Sequence, residues 1–250
     1  MFVHKTYNYN LIETKHYDFM ISVVLPTYNE KDNISKLIDM IEEVFEKNKI
    51  DGEILVIDDN SPDGTAKTVR DLKKKYDNIT VFVRKDERGV GTAHIFGYKH
   101  AKGDIIIAMD CDLSHDPRQI PQFLKKIDES YDIVLGSRHI EGSYYEKKKF
   151  GTIIKYLTSR IGNILTFLIS NVPIHDFSNG YRAIKRDVVK HIKTESIENS
   201  LLMEFILKAY KKGYRLTEIP VTFFDRKKGR SKLKLGKQSI RFFLDVFKFR

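Results

Sequence analysis

A chain of 250 residues with 41% hydrophobic residues is long enough to bury one substantial core, which excludes disorder of the whole chain and predicts one large domain with short appendages. Its formal net charge of +10, from 44 Lys and Arg against 34 Asp and Glu, favours anionic partners such as nucleic acid, phosphorylated metabolites or an anionic membrane face. The single cysteine, Cys111, excludes an intramolecular disulfide framework and a thiolate metal cluster, so a reducing compartment fits best and any metal needs oxygen or imidazole ligands.

Residues 1–20 are predicted to form an extension ahead of the folded domain. The segment Met1–Asp18 is polar and aromatic and lacks the apolar run of a signal peptide, so secretion is not indicated. The most apolar stretch, Ile153–Val172, is interrupted by Lys155, Arg160 and Asn163 and is therefore a poor candidate for a membrane span. We expect any contact with a membrane to be peripheral.

From Ile21 onward, short apolar runs alternate with segments of helical period. The predicted strands are Ile21–Leu25, Ile54–Ile57, Val81–Val83 and Ile105–Met109. The predicted helices are one with an apolar face at Ile34, Leu37, Ile38, Ile41 and Phe45, then about Thr65–Lys75, about Thr92–Lys102, and one after Pro117. Because the strands are continuously apolar rather than alternating, they predict an α/β fold with a mostly parallel sheet covered by helices on both faces.

Three of the predicted strands lead into polar, acidic loops. These loops are Pro26–Glu30, Asp58–Gly64 and Asp110–Asp112. In parallel α/β sheets, ligands bind beyond the carboxyl ends of the strands. The sequence therefore predicts a ligand site at the edge of the sheet where these loops meet.

Asp110 and Asp112 stand one residue apart where a buried strand is predicted to open into a loop, so both carboxylates can turn toward one point outside the sheet. Two hard carboxylates suit Mg²⁺ or Mn²⁺, which take their other ligands from water and from substrate phosphate oxygens. The alternative is that these aspartates cap the following helix. The pattern alone does not decide between a metal site and a helix cap.

Asp58 and Asp59 follow another predicted strand and lead into a turn that ends at Gly64. A turn with a helix cap explains Asp63 and Gly64 well but explains the Asp58-Asp59 pair poorly. Like charges that converge at one end of a sheet repel each other unless a cation, a basic side chain or sugar hydroxyls offset them. A polar ligand site is therefore the better explanation for the pair.

The sequence lacks the usual glycine-rich phosphate-binding loops. It has no Walker-type Gly-x-x-x-x-Gly-Lys-Ser/Thr, and Gly89-Val-Gly91-Thr-Ala-His94 lacks the third glycine of a dinucleotide fingerprint. A bound diphosphate would then have to be held by a metal and by arginines. The histidines His94, His115 and His175 show no metal-ligand spacing with one another, and we interpret them as structural or exposed.

Several motifs occur together and in order along the chain. They are Val24-Leu-Pro-Thr-Tyr-Asn-Glu30, Val56-Ile-Asp-Asp-Asn-Ser-Pro-Asp-Gly-Thr65, Arg88-Gly-Val-Gly-Thr-Ala93, Met109-Asp-Cys-Asp-Leu-Ser-His115, Gly136-Ser-Arg138, Asp176-Phe-Ser-Asn-Gly-Tyr-Arg182 and Arg226–Lys232. From about Ile21 to Lys232 the sequence resembles the family 2 glycosyltransferases, and among them the dolichyl-phosphate (polyprenyl-phosphate) mannosyltransferases. The resemblance implies a GT-A fold, which is a single Rossmann-like α/β domain.

The resemblance also assigns residues to three groups. Those expected at the nucleotide are Pro26, Tyr28, Glu30, Ile57, Asp59 and the backbone at Cys111. Those expected at Mg²⁺ or Mn²⁺ are Asp110, Asp112 as the principal ligand, and Ser114. Those expected near the donor diphosphate, the sugar or the acceptor phosphate are Arg138, Lys155, Ser159, Asp176, Arg182, Arg226 and Lys232. Asp110, Asp112 and Arg138 are the expected catalytic residues.

Four positions depart from the pattern of the family. Ser114 stands where some relatives carry a glutamine ligand, and Cys111 replaces the usual alanine between the two aspartates. Ser178-Asn179 replaces a Thr-Ser or Thr-Gly pair. The change at Cys111 is small for small and should still allow its backbone to contact the nucleotide.

The reaction implied by the resemblance is the inverting transfer of mannose from GDP-mannose to dolichyl phosphate. A phosphate monoester is already largely anionic at neutral pH, so no general base is strictly required. Catalysis then depends on in-line positioning of the reacting atoms and on stabilisation of the departing diphosphate. The rival interpretations are a polyprenyl-phosphate glucosyltransferase using UDP-glucose and a noncatalytic nucleotide-binding or nucleic-acid-binding module. The acidic strand ends argue against nucleic acid, because they would repel its phosphates.

A long-chain lipid acceptor implies work at a bilayer surface, and we expect a peripheral protein on the cytoplasmic face of a membrane. Within Gly151–Val172, Lys155 and Ser159 lie on a polar side of a predicted helix, so the apolar remainder could face lipid or pack into the core. The GT-A domain is expected to span 21–235. Residues 236–250 are expected to form an amphipathic helix at the membrane interface, or to dock on a small membrane-spanning partner.

Overall fold

The computed structural model describes residues 17–146, 150–196, 200–225, 242 and 244–250. The strands in this part of the chain are β1 (Ile21–Thr27), β2 (Gly52–Asp58), β3 (Ile79–Val83), β4 (Ile105–Ala108), β5 (Ile133–Ser137), β6 (Tyr144–Tyr145), β7 (Arg182–Lys185), β8 (Leu216–Pro220) and β9 (Thr222–Phe223). The helices are α1 (Lys31–Asn48), α2 (Thr65–Leu72), α3 (Val90–His100), α4 (Ile120–Asp128), α5 (Phe150–Ser170), α6 (Arg186–His191) and α7 (Ser200–Lys211). A 3-10 turn, Pro117–Gln119, precedes α4, and residues 244–249 are also helical.

The main sheet has the strand order β3-β2-β1-β4-β7-β5-β8, and β6 pairs with β9 in a small separate sheet. Every pairing in the main sheet is parallel except those that β7 makes with β4 and β5. The predicted, mostly parallel α/β sheet is therefore confirmed. Because β7 runs in the opposite direction, its first residue, Arg182, lies beside Ala108 at the end of β4. The segment that precedes β7 thus reaches the same sheet edge as the loops after the parallel strands.

The strands are buried on both faces of the sheet, as their continuous apolar runs predicted. Val23 and Leu25 of β1 pack in the hydrophobic cluster that contains the inner face of α1. Val24 points to the opposite face and packs in the second cluster, with Tyr98 of α3 and Phe205 of α7. Successive side chains of a strand alternate between the two faces. The sheet is therefore a rigid platform between two cores, and its loops are presented at the edges.

Two helix boundaries differ slightly from the prediction. The helix predicted to reach Lys75 ends at Leu72, because the chain turns there and the N–H groups of Lys75 and Tyr76 both donate to the Leu72 carbonyl. Helix α3 begins at Val90, two positions before the predicted start at Thr92.

Gly103, in the turn before β4, tests how closely the chain packs against β1. A Cβ added there would lie 2.5 Å from the backbone carbon of Ile21 and 2.6 Å from the backbone nitrogen of Ser22. Because backbone atoms cannot move aside as a flexible side chain can, we expect Gly103→Ala to lower the free energy of unfolding by about 1–3 kcal/mol. Urea unfolding measures this, with Gly162→Ala as the control, since a Cβ at Gly162 of α5 would have no neighbour within 4 Å. An equal loss in both variants would contradict the prediction.

Helix α5 exposes its apolar side and turns its polar side toward the domain. Its exposed large hydrophobic side chains include Ile153, Ile154, Leu157, Ile161, Ile164, Leu165 and Leu168, the last of which is 68% exposed. Thr152, Asn163 and Thr166 of the same helix are buried. The alternative that the apolar side of this segment packs into the core is therefore wrong. None of the helices in the described part of the chain is both long enough and apolar enough to cross a membrane.

The C-terminal helix, residues 244–249, also has two different sides. Val246 and Phe249 are buried in the second hydrophobic cluster, and Lys248 forms an ion pair with Glu195. Leu244 and Phe247 remain exposed. The end of the chain is thus docked on the domain by one side and presents apolar side chains on the other.

Candidate active site

The acidic loops at the ends of β1, β2 and β4 meet around Cys111. Burial raises the pKa of the Cys111 thiol well above its usual range, and the carboxylates of Glu30, Asp112, Asp110 and Asp58 raise it further. The thiol therefore stays protonated at neutral pH, which argues against a redox role for it. Four carboxylates from three strand ends thus lie near one another at one edge of the sheet.

The Asp110–Asp112 loop leaves β4 and turns back on itself. Asp112 is almost fully buried, and its Oδ1 accepts a hydrogen bond from the backbone N–H of Ser114 at 3.0 Å. The residue that caps the following 3-10 turn is Asp116, whose carboxylate accepts the N–H of Arg118 at 3.0 Å. The alternative that Asp110 and Asp112 cap the next helix is therefore wrong, and the burial of Asp112 needs another explanation.

The donor set of this loop fits a hard divalent cation. The carboxylate of Asp110 accepts no hydrogen bond from the described residues, and the Ser114 hydroxyl is buried without a partner among them. The described residues contain no group of three His, Cys, Asp or Glu side chains that could hold a metal. The two carboxylates and the hydroxyl of this loop are hard oxygen donors, which Mg²⁺ and Mn²⁺ prefer.

Asp58 organises the loop after β2. Its Oδ2 accepts the backbone N–H of Ser61 at 3.0 Å, and its Oδ1 accepts the hydroxyl of Thr27 at 3.2 Å. Asp63 binds the start of α2, with its Oδ1 accepting the N–H of Thr65 at 2.9 Å. The turn interpretation therefore accounts for Asp58 as well as Asp63, and the loop between β2 and α2 is held by its own side chains.

Asp59 has a basic partner that was not predicted. The Nε of Arg84 donates to Asp59 Oδ1 at 2.8 Å, and the N–H of Gly89 donates to Asp59 Oδ2 at 2.8 Å. Arg84 also donates to the Gly89 carbonyl at 3.1 Å and to the Thr92 hydroxyl at 3.0 Å. Both members of the ion pair are nearly buried. The pair ties the end of β2 to the loop that enters α3, and it offsets one of the converging negative charges.

The other residues predicted at the nucleotide line the same edge. Pro26 lies opposite Ile57 in the β1–β2 pairing, and the Ile57 side chain is fully buried. The ring of Tyr28 is half-buried beneath the guanidinium of Arg88, whose Cζ lies 5.5 Å from the ring centroid. The backbone N–H of Glu30 donates to the hydroxyl of Thr65, at the start of α2, at 3.0 Å. Contact between these residues and a nucleotide stays a prediction.

Arg138 follows β5 and forms a buried ion pair with Asp176. Its Nε donates to Asp176 Oδ2 at 2.7 Å, and its Nη2 donates to Asp176 Oδ1 at 2.9 Å. Burial alone would raise the pKa of Asp176, but the charge and hydrogen bonds of Arg138 outweigh burial and lower that pKa to about 2. Asp176 is therefore ionised at neutral pH, and the pair fixes the segment before β7 against the end of β5.

The Arg138–Asp176 pair is continuous with the inner, polar side of α5. Nη2 of Arg138 also donates to the hydroxyl of Ser178 at 2.8 Å, and this hydroxyl lies 3.2 Å from that of Ser159. Asn163, which was not predicted as a site residue, donates to Asp176 Oδ1 at 3.2 Å. Its side-chain oxygen accepts the backbone N–H of Phe177 at 3.0 Å. The sequence signal for Asn163 was its place one turn after Ser159 on the polar side of the helix.

Two basic side chains of this region have N–H donors that the network does not use. Lys155, one turn before Ser159, is half-buried and forms no ion pair or hydrogen bond with the described residues. Nη1 of Arg138 likewise donates to none of them. Burial lowers the pKa of His139 to about 4, despite the nearby Asp176, so this ring is neutral at neutral pH. A lysine, an unused guanidinium N–H and a nearby hydroxyl are donors of the kind that bind a phosphate group.

Residues 22–193 match the family described as Glycosyl transferase family 2. The chain belongs to this glycosyltransferase family. The matched residues begin in β1 and end after α6, so they include both aspartate loops and the Arg138–Asp176 pair. The mostly parallel sheet with helices on both faces is the GT-A arrangement that the motifs implied.

Three relatives of this family 2 glycosyltransferase have names that describe lipid-phosphate sugar transfer. The "Dolichol-phosphate mannosyltransferase" of Pyrococcus furiosus is 34% identical over 231 residues, which are 91% of this chain and 63% of that protein. The "Polyprenol monophosphomannose synthase" of Mycolicibacterium smegmatis is 28% identical over 84% of this chain and 80% of its own length. The "Undecaprenyl-phosphate mannosyltransferase" of Micrococcus luteus is 28% identical over 86% of this chain and 88% of its own length. The chain thus spans less than two thirds of the Pyrococcus protein.

A solved structure with the same fold is that of glucosyl-3-phosphoglycerate synthase from Mycobacterium tuberculosis. Its complex with Mn²⁺, uridine diphosphate and phosphoglyceric acid superposes with a TM-score of 0.72 at 17% identity, covering 92% of this chain and 78% of that chain. At this identity the likeness establishes the fold of the glycosyltransferase and does not bear on its substrates.

The remaining predicted site residues of the glycosyltransferase are less directly placed. Arg182 is fully buried, and its guanidinium donates to the backbone carbonyls of Leu202, at 3.2 Å, and of Asn179. In this position Arg182 holds the segment before β7 through its hydrogen bond to the Asn179 carbonyl, and a contact with substrate stays a prediction. Arg226 and Lys232 lie outside the described residues.

Proposed function

We propose that this glycosyltransferase transfers mannose from GDP-mannose to dolichyl phosphate or another polyprenyl phosphate, giving the β-mannosyl phosphate. The observation that carries the proposal is the orientation of α5, whose polar side faces the domain and whose apolar side faces outward, opposite to an ordinary surface helix. Its inner side places Ser159 next to Arg138 and carries Lys155 one helical turn away, where an anionic phosphate would be bound, while its outer side exposes a continuous apolar surface. A phosphate group on a long hydrocarbon chain is the acceptor that matches both sides. The names of the three relatives support the same class of reaction.

The donor would bind at the acidic sheet edge. Tyr28, Glu30 and Asp59 lie where the nucleotide is expected, and Asp110 and Asp112 would hold Mg²⁺ or Mn²⁺ against the diphosphate. Such a cation supplies charge neutralisation to the departing diphosphate. Arg226 and Lys232 would add positive charge, as the motif implies.

The chemical step needs few protein groups. A phosphate oxygen of the acceptor attacks the anomeric carbon of the sugar, the bond from that carbon to the diphosphate oxygen breaks, and the nucleoside diphosphate leaves with the bonding electrons. The acceptor is already an anion at neutral pH, so no residue has to remove a proton. Arg138, Lys155 and Ser159 would hold the attacking oxygen in line, and this positioning is the main contribution of the chain to the rate. Attack from the face opposite the leaving group inverts the configuration.

Transfer of radiolabel tests the proposal. The purified protein is incubated with polyprenyl phosphate and either GDP-[¹⁴C]mannose or UDP-[¹⁴C]glucose, with and without EDTA, and organic-extractable label is counted. We expect label from GDP-mannose alone, abolished by EDTA and restored by Mg²⁺ or Mn²⁺. Transfer from UDP-glucose alone would identify a glucosyltransferase instead. Binding of nucleotide without any transfer would identify a noncatalytic module.

The apolar outer side of α5 should attach the protein to a bilayer surface. We expect Leu168→Glu to lower partitioning onto vesicles of mixed neutral and anionic lipid by roughly tenfold, because an exposed leucine that would insert into the bilayer surface is replaced by a carboxylate that this surface repels. Sedimentation with sucrose-loaded vesicles measures this. Transfer to a short, water-soluble polyprenyl phosphate should be unchanged.

Tyr210→Glu provides the matched control for the added charge. Tyr210 is exposed on α7, so this variant carries the same change of charge on another helix. Equal vesicle binding by Leu168→Glu and the wild-type protein would show that α5 does not meet the lipid.

A further inference from the structure

His115 is held at both ring nitrogens by groups whose roles are fixed. The backbone N–H of Asp110 donates to His115 Nδ1 at 3.2 Å, so this nitrogen must be an acceptor. The side-chain amide of Asn179 donates to the Gly136 carbonyl at 2.6 Å, so its oxygen faces the histidine and accepts from Nε2 at 2.8 Å. In this arrangement Nε2 is the donor of the ring and Nδ1 is its acceptor. A continuous chain of hydrogen bonds runs from Gly136, at the end of β5, to Asp110, at the end of β4.

The three residues before β7 all contact this unit. Asn179 accepts the hydrogen bond from His115 Nε2. The ring of Tyr181 stacks on that of His115, with centroids 5.0 Å apart and an interplanar angle of 27°. Between them, Gly180 leaves room for Asp110, since a Cβ at Gly180 would lie 3.0 Å from Asp110 Oδ1. Asn179-Gly180-Tyr181 thus forms a cradle that fixes the backbone of Asp110 through His115 and borders its carboxylate directly.

His115 also connects this cradle to β9. It forms an isolated bridge with Phe223, whose ring meets the imidazole edge-on at a centroid distance of 5.6 Å. The next backbone N–H, that of Phe224, donates to the Ser114 carbonyl at 2.9 Å. His115 is 1% exposed. A ring that is buried, stacked and bonded at both nitrogens has one orientation, and it imposes that orientation on the backbone of Asp110.

We propose that His115 and Asn179 are positioning residues, which set the direction of the Asp110 carboxylate for a divalent cation. This inference rests on the proposed function, because it assumes that Asp110 is a metal ligand. The physical reason is that a ligand carboxylate binds a small cation well only when its backbone and side chain are held in place beforehand. Outer residues that orient metal ligands typically change metal affinity by about 10–100-fold when replaced.

Two substitutions of His115 separate its two bonds. His115→Asn places a side-chain oxygen where Nδ1 stood, so it can still accept from Asp110. His115→Gln places an N–H near Nε2, so it can still donate to Asn179, but it has no acceptor for the Asp110 N–H. If the hydrogen bond to Asp110 is the more important one, the glutamine variant should lose more Mn²⁺ affinity than the asparagine variant. Asn179→Ser, which shortens the side chain and removes the bond to His115, provides an independent third variant.

Mn²⁺ binding measured by electron paramagnetic resonance, in the presence of GDP, tests the proposal without relying on turnover. We expect the Mn²⁺ dissociation constant to rise roughly tenfold or more in His115→Gln and Asn179→Ser, and less than about threefold in His115→Asn. The Mn²⁺ concentration for half-maximal transfer should rise in parallel. Thermal unfolding of each variant shows that the titrated protein is folded.

Three results have distinct meanings. Wild-type affinity for Mn²⁺ in His115→Gln and Asn179→Ser, with or without a lowered melting temperature, overturns the proposal and leaves these residues a purely structural role. Equal loss in the asparagine and glutamine variants overturns the claim that the bond to Asp110 decides the effect. Wild-type protein that binds GDP but no Mn²⁺ overturns the metal site of the proposed function, and this inference with it.

Discussion

Replacing Asp112 with asparagine should lower the turnover of sugar transfer by a factor on the order of 10³ and weaken Mn²⁺ binding, while the fold is retained. Asparagine keeps the side-chain oxygen that accepts the Ser114 N–H, so the turn after β4 is preserved. The substitution removes the negative charge and replaces the other carboxylate oxygen with an amide NH₂ group. The loss should therefore appear in metal-dependent steps and not in stability.

The measurements are transfer of radiolabelled mannose over a range of Mn²⁺ concentrations and the melting temperature of each protein. Asp71→Asn is the matched control, because Asp71 forms an exposed pair with Lys67 on α2, and such pairs contribute little to stability. Wild-type turnover in Asp112→Asn would remove Asp112 from the metal site. A melting temperature many degrees lower would show that its role is structural.

The sheet and its acidic edge could be predicted because burial on both faces leaves a clear pattern. Strands β1, β2 and β4 appear in the sequence as mainly apolar runs, and each is followed by polar residues near the point where it ends. Parallel pairing then requires the three loops to meet. Strand β7 gives no such signal, since it contains only four residues and both its first and its last residue are basic.

The partners of the acidic residues could not be predicted, because they depend on register and chain direction. Arg84 reaches Asp59 because Val83 lies opposite Asp58 in the pairing of β3 with β2, so the next residue of each strand is adjacent. Asn179 reaches His115 only because β7 is antiparallel. Neither relation is visible without the strand order.

The side of α5 that faces the domain was also open in the sequence. Its polar and apolar residues recur at helical spacing. This predicts a polar side and an apolar side, but it does not predict which of them faces the domain. The polar side faces the domain because polar groups after β5 and before β7 lie beneath this helix. Arg138, Asp176 and Ser178 all form hydrogen bonds with side chains of the helix, and an apolar side placed there would remove these bonds from groups that are largely buried.

Asp176→Asn should destabilise the protein strongly at neutral pH. Asp176 is fully buried, and both of its oxygens accept hydrogen bonds from the guanidinium of Arg138, so the asparagine variant leaves a buried cation without its counter-charge. Breaking a buried pair in this way costs about 3–5 kcal/mol. Urea unfolding at pH 7 measures the loss. The double variant Asp176→Asn, Arg138→Met should recover part of it, because it removes the orphaned charge.

The effect of Asp176→Asn should depend on pH in a defined direction. The pKa of Asp176 is lowered from 3.8 to about 2 in the folded protein, so its ionisation stabilises the fold above the unfolded value and this contribution, about 2 kcal/mol, is lost as the pH falls from roughly 4 through 2. The difference in unfolding free energy between the wild-type protein and Asp176→Asn should therefore be constant from pH 7 to pH 5 and shrink below pH 4. A difference that stays constant down to pH 3, or that shrinks already between pH 7 and pH 5, would show that the carboxylate of Asp176 is not the group whose charge Arg138 stabilises.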